Sequence, residues 1–280
     1  MVEGLSGVAV ITGTTHGIGR VASRELARAG RTVVMLCRNV PAAEAVREEI
    51  VALVPRADVR VVHCDLASLA SVRRAAAVVR RDHPRIDLLI NNAGMVSTRH
   101  RMSEDGFELT FATNHLGPFL LTALLRDGLG RAARIVNVAS NAHFPGRMDF
   151  ESITAARARY HAMAAYRQSK LANVLFTFAL ARRLAGTDTC VNCLHPGVVA
   201  TNLLPRWLRL IKPFLTRVIL DAERGARTTL FLALAEEVAG ITGRYFDEYQ
   251  NPRPASALAE DRELQEALWT RSAQWTAIPP

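Results

Sequence analysis

Short apolar runs alternate with helical patterns along this chain. Each run ends at charged residues or glycine, which is typical of strands buried on both faces. The predicted strands are 8–12, 32–36, 59–63, 86–90, 133–138, 190–194 and, more weakly, 243–246. The predicted helices are 17–29, 41–53, 68–82, 103–128, 163–185 and 222–237. This alternation predicts βαβ units, so we expect a single α/β domain, doubly wound, with about seven parallel strands and helices on both faces.

Composition indicates the class of protein but does not indicate a function. The chain has 280 residues, 49% hydrophobic and 22% charged, which fits a globular protein with a substantial core. The net charge of +9 favours anionic ligands. Basic residues never run longer than two, however, which argues against nucleic acid as a partner.

Other sequence features predict a cytoplasmic protein without a bound metal. No apolar stretch is long enough for a membrane span, and the N-terminus lacks a secretory signal pattern. Cys190 and Cys193 form a C-x-x-C, but no second ligand pair at zinc spacing accompanies them. We expect these cysteines to be reduced and buried.

One segment interrupts the alternation. Residues 200–220, "ATNLLPRWLRLIKPFLTRVIL", contain two prolines and an apolar face dotted with basic residues. We interpret it as a lid over a substrate site. A membrane-surface helix and plain packing are the alternatives.

A glycine-rich turn follows the first predicted strand. Gly13, Gly17 and Gly19 precede a helical pattern, and backbone without Cβ lets a phosphate approach the unpaired N–H groups of a helix N-terminus. The spacing is G-x-x-x-G-x-G rather than G-x-G-x-x-G. His16 and Arg20 add positive charge to this predicted phosphate site.

Arg38 suggests which dinucleotide binds. Sites for NAD often place a carboxylate after the second strand, where it binds the ribose hydroxyls. This chain has Cys37 and Arg38 there, and a guanidinium can bind a 2′-phosphate bidentately. The sequence therefore predicts NADP(H), although Arg38 can also be read as a solvated strand-end residue.

Tyr166 and Lys170 predict acid–base chemistry. They are four residues apart, so they share one face of a helix. Lys170 is one of two lysines among 35 Lys+Arg residues. A nearby cation lowers a phenol's pKa, which suits a general acid or base for an alcohol–carbonyl pair.

These motifs together resemble the short-chain dehydrogenase/reductase family, with its Rossmann-type fold, over nearly the whole chain. "CRN", "TNHLGPF", "SKLANVLF" and "HPGVV" are most similar to its retinol dehydrogenase-like branch. The resemblance divides the chain into a cofactor half, about 1–140, and a catalytic and substrate half, about 140–280. It implies the catalytic residues Asn114, Ser140, Tyr166 and Lys170. It also implies a cofactor site of Gly13, His16, Gly17, Ile18, Gly19, Arg38, Asn39, Asp65, Leu66, Asn92, Ala93, Gly94, Tyr166, Lys170, Pro196, Gly197, Val199 and Thr201.

The family's chemistry gives each catalytic residue a role. Tyr166 exchanges a proton with the substrate oxygen, Lys170 tunes Tyr166 and binds the nicotinamide ribose, and Ser140 hydrogen-bonds the reacting oxygen. Asn114 holds a water that links Lys170 to solvent. The resemblance also suggests a homo-oligomer, a dimer or tetramer.

The predicted substrate is a hydrophobic carbonyl compound or alcohol: a retinoid, a steroid or a polyketide-like intermediate for a ketoreductase. Charged substrates fit only if Arg147 or Arg206 turns inward. Three alternatives are a non-catalytic NADP(H)-binding regulator, a membrane-surface or protein-interaction module, and an epimerase, dehydratase or double-bond reductase on the same scaffold. The predicted apolar lining is Phe144, Met148, Met163, Leu203, Leu204, Trp207 and Phe214.

Overall fold

A computed structural model describes residues 7–155, 160–197 and 221–279 of the chain. Within these ranges one sheet has the strand order β3-β2-β1-β4-β5-β6-β7-β8, and its pairs are parallel except for the last. The strands are β1 Val8–Thr12, β2 Thr32–Cys37, β3 Val59–His63, β4 Ile86–Asn91, β5 Leu129–Val138, β6 Cys190–Leu194, β7 Tyr245–Phe246 and β8 Pro252–Arg253. The doubly wound prediction is confirmed. The short antiparallel β8 was not predicted, since two exposed residues leave no apolar run.

Helices cover both faces of the sheet. They are α1 Gly17–Arg28, α2 Val40–Leu53, α3 Leu69–Asp82, α4 Leu109–Phe111, α5 Gly117–Leu125, α6 Glu151–Thr154, α7 Ala162–Arg183, α8 Ala222–Leu234, α9 Ala257–Glu260 and α10 Arg262–Trp275. In the part of the chain that the structure describes, no helix is long and apolar enough to cross a membrane.

The strands are apolar along their length because each face of the sheet packs into its own hydrophobic core. Successive residues of β1 point to opposite sides, so Val10 joins the core under α3, α5, α7 and α10, while Ile11 joins the core under α1, α2 and α8. Trp269 of α10 packs on Phe119 of α5, with ring centroids 5.1 Å apart.

Two boundaries differ from the predictions. The helix predicted over 103–128 begins only at Leu109, because Glu108 caps it by accepting from the N–H groups of Thr110 and Phe111. A π-helical turn, Ala112–Leu116, then interrupts it, and β5 begins at Leu129 rather than 133. The prediction of a lid at 200–220 lies outside the described residues.

Candidate active site

The site lies where the strand order reverses. β1 and β4 are neighbours, but the chain leaves them in opposite directions across the sheet, which opens a crevice at their carboxyl ends. A cleft of about 680 Å³ occupies this position, a volume typical of small-molecule sites. Of the predicted site residues within the described ranges, every one except Asn114 lines it. Val199 and Thr201 lie outside the described ranges.

The glycine turn is locked to the end of β4 by hydrogen bonds. Thr12 Oγ1 accepts from the backbone N–H groups of Asn92 and Ala93, both at 3.0 Å. The Asn92 side chain donates back to the carbonyls of Thr12 and Gly13, at 2.9 and 3.1 Å. The two motifs therefore form one rigid floor at the N-terminus of α1.

Two positions of the turn have room only for glycine. A Cβ on Gly19 would lie 2.2 Å from the Gly13 carbonyl oxygen. Gly13 has a φ of +72°, and a Cβ there would lie 2.8 Å from Ala93 Cα. The turn therefore has no room for a side chain at either position, and the first residues of α1, Gly17 to Gly19, line the cleft.

Arg38 and Asn39 lie at the outer end of the cleft, just after β2. Asn39 caps α2 by accepting from the Ala42 N–H at 3.1 Å, and Arg38 is exposed. Among the described residues, no carboxylate pairs with Arg38. Arg20, by contrast, forms an ion pair with Glu49 of α2, so its charge is already partnered.

Asp65 faces the same end of the cleft. One of its carboxylate oxygens accepts from the Ala67 N–H at 3.0 Å, and its own N–H donates to Ser71 Oγ at 3.0 Å. These bonds fix the turn between β3 and α3, with Asp65 and Leu66 on the cleft wall.

Ser140, Tyr166 and Lys170 converge at the inner end. Ser140 follows β5 and hydrogen-bonds the Tyr166 phenol. Lys170 is buried and donates to the Val138 carbonyl at 2.8 Å, with its Nζ 5.7 Å from the centre of the Tyr166 ring. Burial lowers the pKa of Lys170 to about 8.

The pKa of Tyr166 differs from the sequence-based expectation. Burial raises it, and the Ser140 hydrogen bond, which acts in the opposite direction, does not offset the rise. Tyr166 is therefore a neutral phenol near pH 7, which suits a proton donor.

Asn114 lies behind the cleft, fully buried in the π-helical turn. Its Oδ1 accepts from the Met95 N–H at 2.8 Å, and its Nδ2 donates to the Met95 carbonyl and to Ser169 Oγ, both at 2.9 Å. The side chain thus ties the loop after β4 to α7. Its backbone carbonyl lacks the usual α-helical donor, because residue 118 is proline and has no N–H.

The sequence reasoning missed some cleft residues and misplaced others. His195 is buried, and its Nδ1 has no hydrogen-bond partner in the described structure; its position before Pro196 was the available signal. Other residues that line the cleft without having been predicted include Thr15, Met95, Val96, Thr113 and Ala139.

Of the predicted apolar lining, Met163 borders the cleft. Phe144 does not, because its ring packs on His143 with centroids 4.2 Å apart, and Met148 packs into the core beside α7. Leu203, Leu204, Trp207, Phe214 and Arg206 lie outside the described residues.

Comparison with known proteins defines the family. A sequence profile described as short chain dehydrogenase matches residues 7–209. Human Retinol dehydrogenase 13 is 41% identical over 96% of this chain and 84% of its own length. Mouse Retinol dehydrogenase 12 is 38% identical over 97% of this chain and 86% of its own length.

A solved structure is also similar to this chain. The crystal structure of an uncharacterized protein from Mycobacterium paratuberculosis is 38% identical, with a TM-score of 0.81 over 97% of this chain and 94% of that one. The chain belongs to the short-chain dehydrogenase family, in which its similarity is to the retinol dehydrogenases. It is accordingly an oxidoreductase of the alcohol–carbonyl type that uses a nicotinamide cofactor.

Proposed function

We propose that this protein is an NADP(H)-dependent oxidoreductase that interconverts a carbonyl and an alcohol on a hydrophobic substrate. The observation that carries the proposal is the convergence of Ser140, Tyr166 and Lys170 at one end of a cleft whose other end holds Arg38, which has no carboxylate partner among the described residues.

The residues present fit a dinucleotide. The closely packed glycine turn offers the N–H groups of α1 to a pyrophosphate. Asp65 would hold the adenine, and Arg38 the 2′-phosphate that distinguishes NADP from NAD. Pro196 and Gly197, with Val199 and Thr201 beyond the described residues, would hold the carboxamide. When bound, the nicotinamide supplies or accepts the hydride.

Proton handling belongs to Tyr166. As a neutral phenol it donates its proton to the carbonyl oxygen in the reducing direction, while Ser140 hydrogen-bonds the same oxygen and stabilises its developing charge. Lys170 would bind the nicotinamide ribose and, with its cation close to the phenol, stabilise the phenolate that proton transfer leaves.

Reprotonation of Tyr166 requires a route to solvent. The Asn114 side chain already makes three hydrogen bonds, and Pro118 deprives its backbone carbonyl of the α-helical donor, so this carbonyl is our candidate to hold a water. We propose that this carbonyl and Lys170 share that water.

The substrate class is supported by the relatives' names and by Met163 at the cleft. A retinoid, a steroid or a polyketide-like ketone is consistent with an apolar site. A cytoplasmic location and a homo-oligomeric state stay predictions from the sequence.

Two other functions on this fold are a non-catalytic NADP(H)-binding regulator and an epimerase, dehydratase or double-bond reductase. Retention of Ser140, Tyr166 and Lys170 in mutual contact range favours alcohol–carbonyl chemistry over a regulator.

The experiment is a comparison of Tyr166→Phe with Tyr160→Phe. Tyr160 is also a partly buried tyrosine, but its hydroxyl donates to Glu108 at 2.9 Å and it does not line the cleft. We expect Tyr166→Phe to bind NADPH normally and to lose at least about 100-fold in kcat, while Tyr160→Phe keeps kcat. Near-normal turnover by Tyr166→Phe would overturn the assignment.

A further inference from the structure

A second cavity of about 400 Å³ adjoins the cleft. Met95 and Val96 line both, so the two spaces share a wall in the loop after β4. The remaining lining residues are Ser97, Thr98, Arg99, Arg101 and Leu109. A molecule seated in the cleft that passes Met95 and Val96 therefore reaches two arginines.

The loop that carries these arginines is held in place. The Ser97 N–H donates to Thr110 Oγ1 at 3.2 Å, and its hydroxyl donates to the Arg99 carbonyl at 2.6 Å. The Arg101 carbonyl accepts from the Leu109 N–H at 2.9 Å. These bonds hold the backbone at both arginines, so both side chains start from fixed points on the wall of the second cavity.

Arg99 and Arg101 are both exposed and both line the second cavity. His100, between them in the chain, packs its ring against Tyr160 with centroids 5.4 Å apart and does not line the second cavity. Two cations that line one small cavity repel each other, and an anion bound between them would relieve that repulsion.

No carboxylate of the loop neutralises them. Glu104 hydrogen-bonds Ser68, and Asp105 accepts from the Leu69 N–H at 2.9 Å, so both serve the N-terminus of α3. Glu108 is buried and accepts from Thr110, Phe111 and Tyr160. Across the ranges that the structure describes, neither Arg99 nor Arg101 has an ion pair.

We propose that Arg99 and Arg101 bind an anionic group, a carboxylate or phosphate, at the far end of the substrate. The substrate is then an apolar carbonyl compound with a negatively charged tail, and its body lies against Met95 and Val96. This inference rests on the proposed function and replaces the expectation that charged substrates fit only through Arg147 or Arg206.

The kinetic test uses 9-oxodecanoate and its methyl ester, which differ only in the charge of the tail. The readout is the ratio of kcat/KM for acid over ester in wild type, Arg99→Gln/Arg101→Gln and the control Arg131→Gln. Arg131 is exposed at the amino end of β5, at the opposite edge of the sheet from the cleft. We expect the double variant to lower the ratio about tenfold, as for loss of a charge-assisted pair, and Arg131→Gln to leave it unchanged. An equal ratio in all three proteins would overturn the proposal.

A binding test separates this inference from the proposed function. Calorimetric titration of the wild type with decanoate, decyl phosphate and decan-1-ol needs no turnover. Saturable binding of either anion, tighter than that of the alcohol and lost in the double variant, supports the site, and the tighter anion identifies the group. Equal binding of all three ligands contradicts it. If no ketone is reduced under any condition, the proposed function fails, and the titration still decides whether the arginines bind an anion.

Discussion

Gly19→Ala tests whether the glycine turn is packed as closely as the structure indicates. The new Cβ would lie 2.2 Å from the Gly13 carbonyl oxygen and 2.6 Å from Asn92 Nδ2. Because both neighbours are held by hydrogen bonds to each other, backbone must shift by about 1 Å to restore a normal contact.

The expected cost follows from these contacts. Overpacking of this kind costs about 1–3 kcal/mol, and loss of the bond between Asn92 and Gly13 adds about 1 kcal/mol. The better helix propensity of alanine offsets about 1 kcal/mol. The net loss in the free energy of unfolding is therefore about 2 kcal/mol.

Urea denaturation measures that loss, and fluorescence titration with NADPH measures the accompanying loss of affinity. Gly186→Ala is the control: its φ is +84°, but nothing lies within 4 Å of the added Cβ. It should cost about 1 kcal/mol and leave NADPH binding unchanged. A Gly19→Ala protein with wild-type stability and wild-type NADPH affinity would refute the steric reasoning.

Three further predictions concern single residues. Arg38→Gln should raise the Kd of NADPH about tenfold and leave that of NADH nearly unchanged; equal effects in parallel titrations would remove Arg38 from the phosphate site. The folded-state pKa of Lys170 lies near 8, below its ordinary 10.5, so the unfolded state binds more protons between these values. Wild-type unfolding free energy should accordingly rise by about 3 kcal/mol relative to Lys170→Met from pH 8 to 10.5, and parallel pH profiles would contradict this. Asn114→Ala leaves the Met95 N–H and carbonyl without their side-chain partner and removes one of two hydrogen bonds of Ser169 Oγ. It should lower the unfolding free energy by about 2–3 kcal/mol in urea denaturation; a change below about 0.5 kcal/mol would show that these bonds contribute little.

The sequence predicted the strands of the sheet well because the apolar run that marks a strand lies within a few consecutive residues. β1, β2 and β6 are apolar runs buried on both sides, and a run of that kind has few other stable places in a globular chain. The residues that end these strands then meet at one edge of the sheet, which is why most of the predicted site lines one cleft.

Other features depend on distant contacts that a local pattern does not carry. The late start of α4 follows from Glu108, whose cap also receives the Tyr160 hydroxyl from 52 positions away. The surface ion pair of Arg20 with Glu49 depends on how α2 packs beside α1. The burial of His195 at the cleft and the pair of arginines at the second cavity likewise appear only once the loops are folded together.

The pKa of Tyr166 also depends on contacts that the local sequence does not reveal. Four-residue spacing correctly places Lys170 on the same helix, but it says nothing about burial. In the folded protein desolvation of the phenol outweighs the Ser140 hydrogen bond, and the ammonium donates to Val138 instead of to the phenol.

The most direct test of the central claim is transfer of deuterium from NADPH that carries deuterium at both C4 positions of the nicotinamide. Purified protein is incubated with a panel of apolar aldehydes and steroid ketones, and the alcohols formed are examined by mass spectrometry. With the wild-type protein we expect one deuterium at the carbinol carbon of each product molecule. With Tyr166→Phe we expect no labelled alcohol. Demonstrable NADPH binding without labelled alcohol from any substrate would contradict hydride transfer to a carbonyl and favour the regulator.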